Sequence, residues 1–579
     1  MHGILELSLQ LLNSFHPANL GGSGAQVPFQ GEQNVKPTPT TKSSGIPDYF
    51  ATDDGHFQGP TQTGAAPFLA QTNLAPFAGV SYIPNSPLET QIPILGNPDN
   101  KNIFQSMANI SPYFPNPRGF GVDEYSVPPG TNVTWLNMVH RHGSRYPEFS
   151  GDAAERTLGK KLTDAAGKFT GHGPLSFLND WQFLLGAEIL VPNGKQELFT
   201  SGTLHYYQYG HLYPNNGSKI IVRSTTQRRM TESAEYFLAG FFGLTWPQNA
   251  TLELAIEAPG FNNTLAGYKQ SLTDWMGVYL HDAHQRFRSN ITGDLDWTLS
   301  DTYNAQALCS YETVSLGFSH WCGLFTYEEW QGYEYALDIA FQAGTGFASP
   351  VGRAIGIGKS SLTPPTPPKS SQHFLPSKPL TTTPSTGYVE EVLARMQHHV
   401  ITTPSAQINL TLDNNTATFP TNQALNLDFS HDAGILSILV AFGLRQFNDF
   451  LPTTHIKHDR QFILSHLQPF AGRLDIEIVK APAPVNPKRG SSSSGLVEGQ
   501  SMYLDGEPTS YVHFLLNQRT IPLGRSHAEC GDRDDGWCDM DTFLSVMQRQ
   551  IELADYEFAC FGEYEEPRYG EVTDGRPVR

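Results

Sequence analysis

Basic side chains are scarce in this chain: 37 lysines and arginines stand against 56 aspartates and glutamates, a formal charge of −19. That sign excludes nonspecific binding to nucleic acid or to an anionic lipid surface, both of which need a basic face. It leaves an anionic small molecule open, because a local arginine cluster can reverse the field inside one cleft. Long hydrophobic runs are also missing. The best, around Ile435 to Leu444, is about half of the ~18–20 residues that a membrane helix needs, so no membrane partner is expected. Cysteine is rare, with five in the chain, too few for a disulfide scaffold. What is abundant is glycine and proline, 53 and 42 residues, which implies long loops or tails around the core that 579 residues can bury.

The five cysteines are grouped. Cys309 and Cys322 are near neighbours, as are Cys530 and Cys538, while Cys560 stands alone. Metal ligation is the alternative to disulfides, but neither spacing is that of a zinc knuckle and no histidine pair complements them. The expectation is two local disulfides, Cys309–Cys322 and Cys530–Cys538, with Cys560 left as a thiol. Eight N-x-S/T sequons, at Asn109, Asn132, Asn216, Asn249, Asn262, Asn290, Asn409 and Asn414, join the cysteines in favouring the secretory route and an extracellular or cell-wall location. The first fifteen residues make a poor signal peptide, since Glu6 interrupts the apolar stretch and no Lys or Arg precedes it.

Along the chain, residues 1–46 are polar and lack the apolar content to offset ordering entropy, so they are expected to be disordered. Residues 47–118, with more aromatics but many prolines, read as an extended arm packed on the core, and residues 119–579 as the main domain. Thr134 to His140 reads as a buried strand, Ile220 to Arg223 as a second, followed by a helix from about Thr225 to Phe242. Apolar spacing is helical from Leu265 to Ser300. Strands return at Leu425–Phe429 and Leu474–Val479, and Tyr511–Leu523 reads as a hairpin. Strands at both ends with helices between predict an α/β fold with an inserted, mainly helical domain, at about 150–210 and 260–345. Residues 359–386, nearly all Pro, Ser, Thr and Lys, read as a disordered insert: a surface loop or translated intron.

The chemistry concentrates in Arg141-His142-Gly143-Ser144-Arg145-Tyr146-Pro147, directly after an apolar strand. Two guanidiniums flanking a histidine suit a phosphate dianion, since each is a planar, permanently charged fork of donors. Gly143 is expected to let the backbone approach the anion. The run matches R-H-G-x-R-x-P and resembles the signature of the histidine acid phosphatases, which include the fungal phytases. The resemblance extends from about Asn100 to Glu563 and implies a three-layer α/β/α core of the phosphoglycerate mutase type. It implies an arginine at a strand end before a helix, which Arg223 in Ile221-Val-Arg223-Ser-Thr-Thr-Gln-Arg-Arg229 supplies, and a His-Asp pair after a late strand, His431-Asp432. The close C-terminal cysteines Cys530 and Cys538, Ser111-Pro-Tyr-Phe and Trp321-Cys-Gly-Leu-Phe-Thr326 also look like fungal members. A second His-Asp-Ala, at His281, falls in an apparent amphipathic helix (Asp274 to Ser289, with Trp275, Val278, Tyr279 and Phe287 apolar) and reads as a surface or packing residue.

By this resemblance His142 is the nucleophile that forms a phosphohistidine, Asp432 the general acid, and Arg141, Arg145, Arg223 and His431 the binders of the phosphate oxygens. No metal or cofactor is required, and the partner is a small phosphate monoester rather than nucleic acid or membrane. Two other functions share the loop: a phosphoglycerate mutase-like phosphotransferase, which usually has glutamate after the glycine where this chain has Ser144, and an inactive binding protein. Dedicated phytases resemble this chain but carry lysines near Pro147 and after the Glu-Trp pair, where Glu148 and Gln331-Gly332 stand here. They also carry asparagine after His-Asp, where Ala433 stands. The expectation is a metal-independent acid phosphatase of broad specificity, phytate included, with a dedicated phytase as the alternative.

Overall fold

The computed structural model describes residues 92–97, 99–122, 124, 128–148, 154–257, 275–355, 387–488, 501–565 and 567–578. The segments read above as disordered, 1–46 and 359–386, lie outside them, as do residues 47–91 of the expected arm.

Ten strands are present among these residues: β1 Asn132–Arg141, β2 Phe169–Gly171, β3 Ile220–Thr225, β4 Ala250–Ala255, β5 Ile291–Gly293, β6 Leu425–Ser430, β7 Arg473–Ala481, β8 Thr509–Leu516, β9 Arg519–Ile521 and β10 Cys538–Asp539. Eight form one mixed sheet in the order β10-β8-β7-β1-β6-β3-β4, with β9 on β8. β1, β6, β3 and β4 run parallel, whereas β7 and β8 are antiparallel to their neighbours. The inner parallel strands β3 and β6 and the second half of β1 are buried almost throughout, as expected of strands covered on both faces.

Side-chain alternation sends the two faces of each strand to different helices. Leu136 and Met138 of β1, with Val222, Leu427 and Phe429, pack under α2 (Pro192–Tyr209) and α3 (Arg228–Phe242). Trp135, Val139, Leu474 and Ile476 pack under α7 (Tyr388–Met396), α8 (Asp432–Ala441) and α9 (Met540–Ala554). This is the three-layer core expected. A separate apolar cluster joins α1 (Ala154–Asp164), α4 (His281–Ser289), α5 (Leu299–Leu316) and the start of α6 (Tyr327–Gly344), and encloses the Cys309–Cys322 bridge. Ile103, Phe104 and Met107 are buried in the same cluster. The second bridge joins Cys530 to Cys538.

Three sequence expectations are corrected. The helical insertion expected to reach residue 210 stops before α2, whose Leu198 lies with Leu136 and Met138 in the sheet layer. The helical reading of Leu265 to Ser300 is broken by β5, which pairs with β2. Val278, read as apolar face, is 53% exposed, because Met276–Tyr279 is a separate single turn before α4. His281 is exposed. Among the described residues no helix is long and apolar enough to cross a membrane.

α2 and α3 cross so closely that a Cβ at Gly202 would lie 2.0 Å from Phe237 O, and one at Gly240 2.1 Å from Phe199 O. Gly240→Val must therefore push two backbones apart rather than move a side chain. We expect a loss of about 1–3 kcal/mol or more, read as a lower urea midpoint; an unchanged midpoint refutes the close crossing.

Candidate active site

β1, β3, β4 and β6 are parallel, so their C-terminal ends share one edge, which is where an open α/β sheet places ligands. Arg141 is in register with Ser430. His142 leaves β1 beside His431 leaving β6, and the two rings are 5.8 Å apart between centroids. His431 caps α8 and Asp432 is its first residue.

His142 is buried, with Nδ1 donating to Gly143 O at 2.9 Å. That bond assigns the proton to Nδ1 and leaves the Nε2 lone pair for electrophilic phosphorus. Burial, then Arg141, Arg145, Arg229 and His431, hold its pKa well below the ordinary histidine range, so the ring stays neutral in acid. Gly143 has a different reason from the one expected. A Cβ there would lie 2.4 Å from Gly194 O and 2.6 Å from Leu198 Cδ2, so the loop needs glycine to seat on α2.

Arg141 is fully buried, its guanidinium 4.7 Å over the Phe470 ring. It donates to Asn109 O, to Gln468 O at 2.8 Å and to Asp432 Oδ2 at 2.8 Å. Asp432 Oδ2 also accepts from Asn109 Nδ2 at 2.9 Å, and Oδ1 from Ala433 N at 2.8 Å. Burial raises the Asp432 pKa, but Arg141, Asn109, Arg145 and the Ala433 N–H outweigh it and hold the carboxyl well below the usual carboxylate range. Arg145 donates to Tyr146 O at 2.9 Å and to Glu148 Oε1 at 3.1 Å.

Arg223 does not join this group. It sits inside β3, beside Asp428 of β6, and faces α7. Its Nε donates to Asp428 Oδ1 at 2.7 Å, and one Nη donates to Glu391 Oε2 at 2.7 Å and Asp428 Oδ2 at 3.0 Å. Arg395 also donates to Asp428 Oδ2, at 2.7 Å. This is a buried ion network tying β3, β6 and α7, so the sequence assignment of Arg223 to phosphate is corrected. The arginine that reaches the edge is Arg229, in the first turn of α3. It is 8% exposed and donates no hydrogen bond among the described residues; its nearest carboxylate is Glu148, at 3.9 Å. Burial and Arg145 lower its pKa to about 10, so it stays a cation in acid.

Sequence reasoning also missed Glu257, two residues beyond β4, whose Oε1 accepts from His431 Nε2 at 2.5 Å. Burial raises the Glu257 pKa, but His431, Thr225 and Arg229 outweigh it, and the net shift is downward. Once β4 is recognised, the strand-edge rule finds it. Asn109 was read as a sequon, yet its amide is committed to Asp432. The Nε atoms of Arg141, Arg145 and Arg229 are buried without partners, a set of donors suited to an oxyanion. A cavity of about 950 Å³ near the C-terminal segment, bordered by Arg353, Arg445 and Asp574, contains none of these residues.

A buried cluster of guanidiniums around a neutral histidine at the edge of a parallel sheet defines a phosphate-transferring site. A family model of the histidine phosphatase superfamily (branch 2) matches residues 132–517, and the chain belongs to that family, as a phosphoric monoester hydrolase. It is 30% identical over 473 residues to Phytase A of Aspergillus awamori, covering 76% of this chain and 85% of that protein. It is 28% identical over 453 residues to Phytase A of Aspergillus terreus, covering 73% and 83%. Among solved structures, the phytase from D. castellii superposes with a TM-score of 0.55 at 18% identity, covering 80% of this chain and 89% of that one, a likeness of fold.

The two arginines separate by experiment. Arg229→Met is expected to lower kcat/KM at least 100-fold with little change in unfolding midpoint. Arg223→Met leaves Asp428 and Glu391 short of a cation and is expected to cost about 3–5 kcal/mol of stability. The reverse pattern restores Arg223 to the site.

Proposed function

We propose that the chain hydrolyses phosphate monoesters at acid pH through a phosphohistidine on His142, with Asp432 as proton donor and Arg141, Arg145, Arg229 and His431 holding the phosphate oxygens. The observation that carries the reading is the His142 Nδ1–Gly143 O bond within a cluster of three guanidiniums. It supplies a neutral, oriented Nε2 where a phosphoryl group is most stabilised.

The Nε2 lone pair attacks phosphorus, the ester P–O bond breaks, and the leaving oxygen takes a proton from Asp432. Water then attacks the phosphohistidine, returns a proton to Asp432, and releases phosphate. With Asp432 ionised beside Arg141 before substrate arrives, the proton enters with the substrate. Below its second pKa of about 6 a phosphate monoester is a monoanion. As Arg141 turns to the phosphate oxygens, Asp432 loses its strongest counter-charge and accepts that proton.

Substrate range follows from the rim. Glu148, bonded to Arg145 and 3.9 Å from Arg229, places a negative charge beside the phosphate cluster. Gly332 packs against Tyr279, and Ala433 is buried, so neither position offers a cation to a second phosphate. We read a broad monoester phosphatase that includes phytate among its substrates, in line with the relatives named Phytase A, rather than a dedicated phytase. The two disulfides and the exposed sequons at Asn132, Asn216 and Asn414 support a secreted protein.

His142→Ala is expected to abolish turnover, and rapid quench of the wild type without acid to trap label on His142; a variant with a tenth of wild-type activity refutes the assignment. Asp432→Asn is expected to slow phosphoenzyme formation by roughly 10²- to 10⁴-fold for alkyl esters and far less for p-nitrophenyl phosphate, whose phenolate leaves unaided. Equal losses make Asp432 an electrostatic residue. Above the substrate pKa of about 6, kcat/KM should fall tenfold per pH unit as the monoanion disappears; a flat profile to pH 8 rules out proton delivery by the substrate.

A further inference from the structure

Eight arginines are buried among the described residues: Arg141, Arg145, Arg223, Arg229, Arg353, Arg395, Arg460 and Arg473. Six are ion-paired within 3.1 Å: Arg141 to Asp432, Arg145 to Glu148, Arg223 and Arg395 to Asp428, Arg353 to Asp574, and Arg460 to Asp338. Arg229, in the catalytic cluster, is one exception. Arg473 is the other, and the catalytic cluster does not account for it.

Arg473 is the first residue of β7 and 2% exposed. Strand alternation turns Leu474 and Ile476 to the α9 side and Arg473, Asp475 and Glu477 to the α2 side. Both acids there are engaged: Asp475 with His205 at 3.1 Å, and Glu477 with Tyr209 at 2.6 Å and His513 at 2.8 Å. The Arg473 guanidinium lies 4.5 Å over the Tyr113 ring. It donates no hydrogen bond and pairs with no carboxylate among the described residues, and its Nε is buried without a partner. It faces a cavity of about 300 Å³ bordered by Tyr113, Asn193, Glu197, Thr200 and Gln518. Glu197 is not its counter-ion in disguise: the carboxylate already accepts from Ser144 N at 2.7 Å, Ser144 Oγ at 2.9 Å, Asn193 Nδ2 at 3.0 Å and Tyr113 N at 3.1 Å.

We propose that this cavity between α2 and the start of β7 is a second, noncatalytic oxyanion site, in which Arg473 takes a phosphate-sized anion. A buried guanidinium without a hydrogen-bond acceptor is costly, and a bidentate oxyanion supplies the acceptors it lacks. The Gln518 amide and the Thr200 hydroxyl supply further donors, and the volume exceeds that of one phosphate. The site lies on the α2 face, behind the catalytic loop, with Glu197 and Ser144 between the two.

Equilibrium dialysis of labelled inorganic phosphate against the full chain tests it. The wild type is expected to bind two equivalents at saturation. Arg473→Met should leave one, and Arg229→Met should leave the other. Thr200→Trp, on the exposed rim, should also leave one by filling the cavity, and it decides the matter if Arg473→Met does not fold. One equivalent in the wild type, lost in Arg229→Met and unaffected by Thr200→Trp, overturns the proposal and leaves a cavity that holds water. Loss of the catalytic equivalent alone strikes the phosphatase reading instead, so the two failures are distinguishable.

Discussion

The parallel pairing of β1 with β6 is the constraint on which the site depends. Because Arg141 stands beside Ser430, the chain leaves both strands at one level, and the Arg141-His142 and His431-Asp432 pairs meet although nearly 290 residues separate them (Arg141 and Asp432 are 291 apart). A slip of one residue would turn every side chain of one strand to the opposite face. Buried Asn137 bonds Tyr388 and Arg395 on one face and buried His140 bonds Ser201 on the other, so a slip would strand these polar groups.

Around that pairing the fold must bury many cations, and the way it balances each one distinguishes scaffold from site. Arg223 and Arg395 close on Asp428 and weld β3, β6 and α7. Arg460 closes on Asp338 of α6. At the sheet edge the balance is left incomplete: Arg141 is paired, Arg145 shares Glu148, and Arg229 is almost unpaired. Burial first, and then this uncompensated charge, keep His142 neutral, and the same charge would favour an incoming phosphate in the proposed reaction.

Asp432 shows the corresponding tension. A general acid needs its proton, while the ligand-free pocket holds this carboxyl ionised through Arg141 and Asn109. In the proposed reaction the substrate resolves the conflict by competing for Arg141 as it brings the proton. On that proposal acid operation follows from the substrate's own ionisation as much as from any side chain.

Much of this was legible in the chain. The buried strand before Arg141, the loop through Pro147, the strand before His431 and the cysteine pairing are local signals, set by short-range alternation and sequence separation. So were the helical insert and the α/β class, from the order of elements. The positions of Arg229, Glu257 and Asn109 were not. Arg223 and Arg229 are both arginines at a strand–helix junction, and nothing local says which guanidinium closes on Asp428 and Glu391 at 2.7 Å and which has a carboxylate no nearer than 3.9 Å. Glu257 and Asn109 act through contacts 174 and 323 residues distant. Arg473 looks in sequence like any strand-initial arginine. The sequence by itself determined which residue types gather after which strands. Only the tertiary structure decided which charges are neutralised, because that depends on strand register and on which helix covers each face.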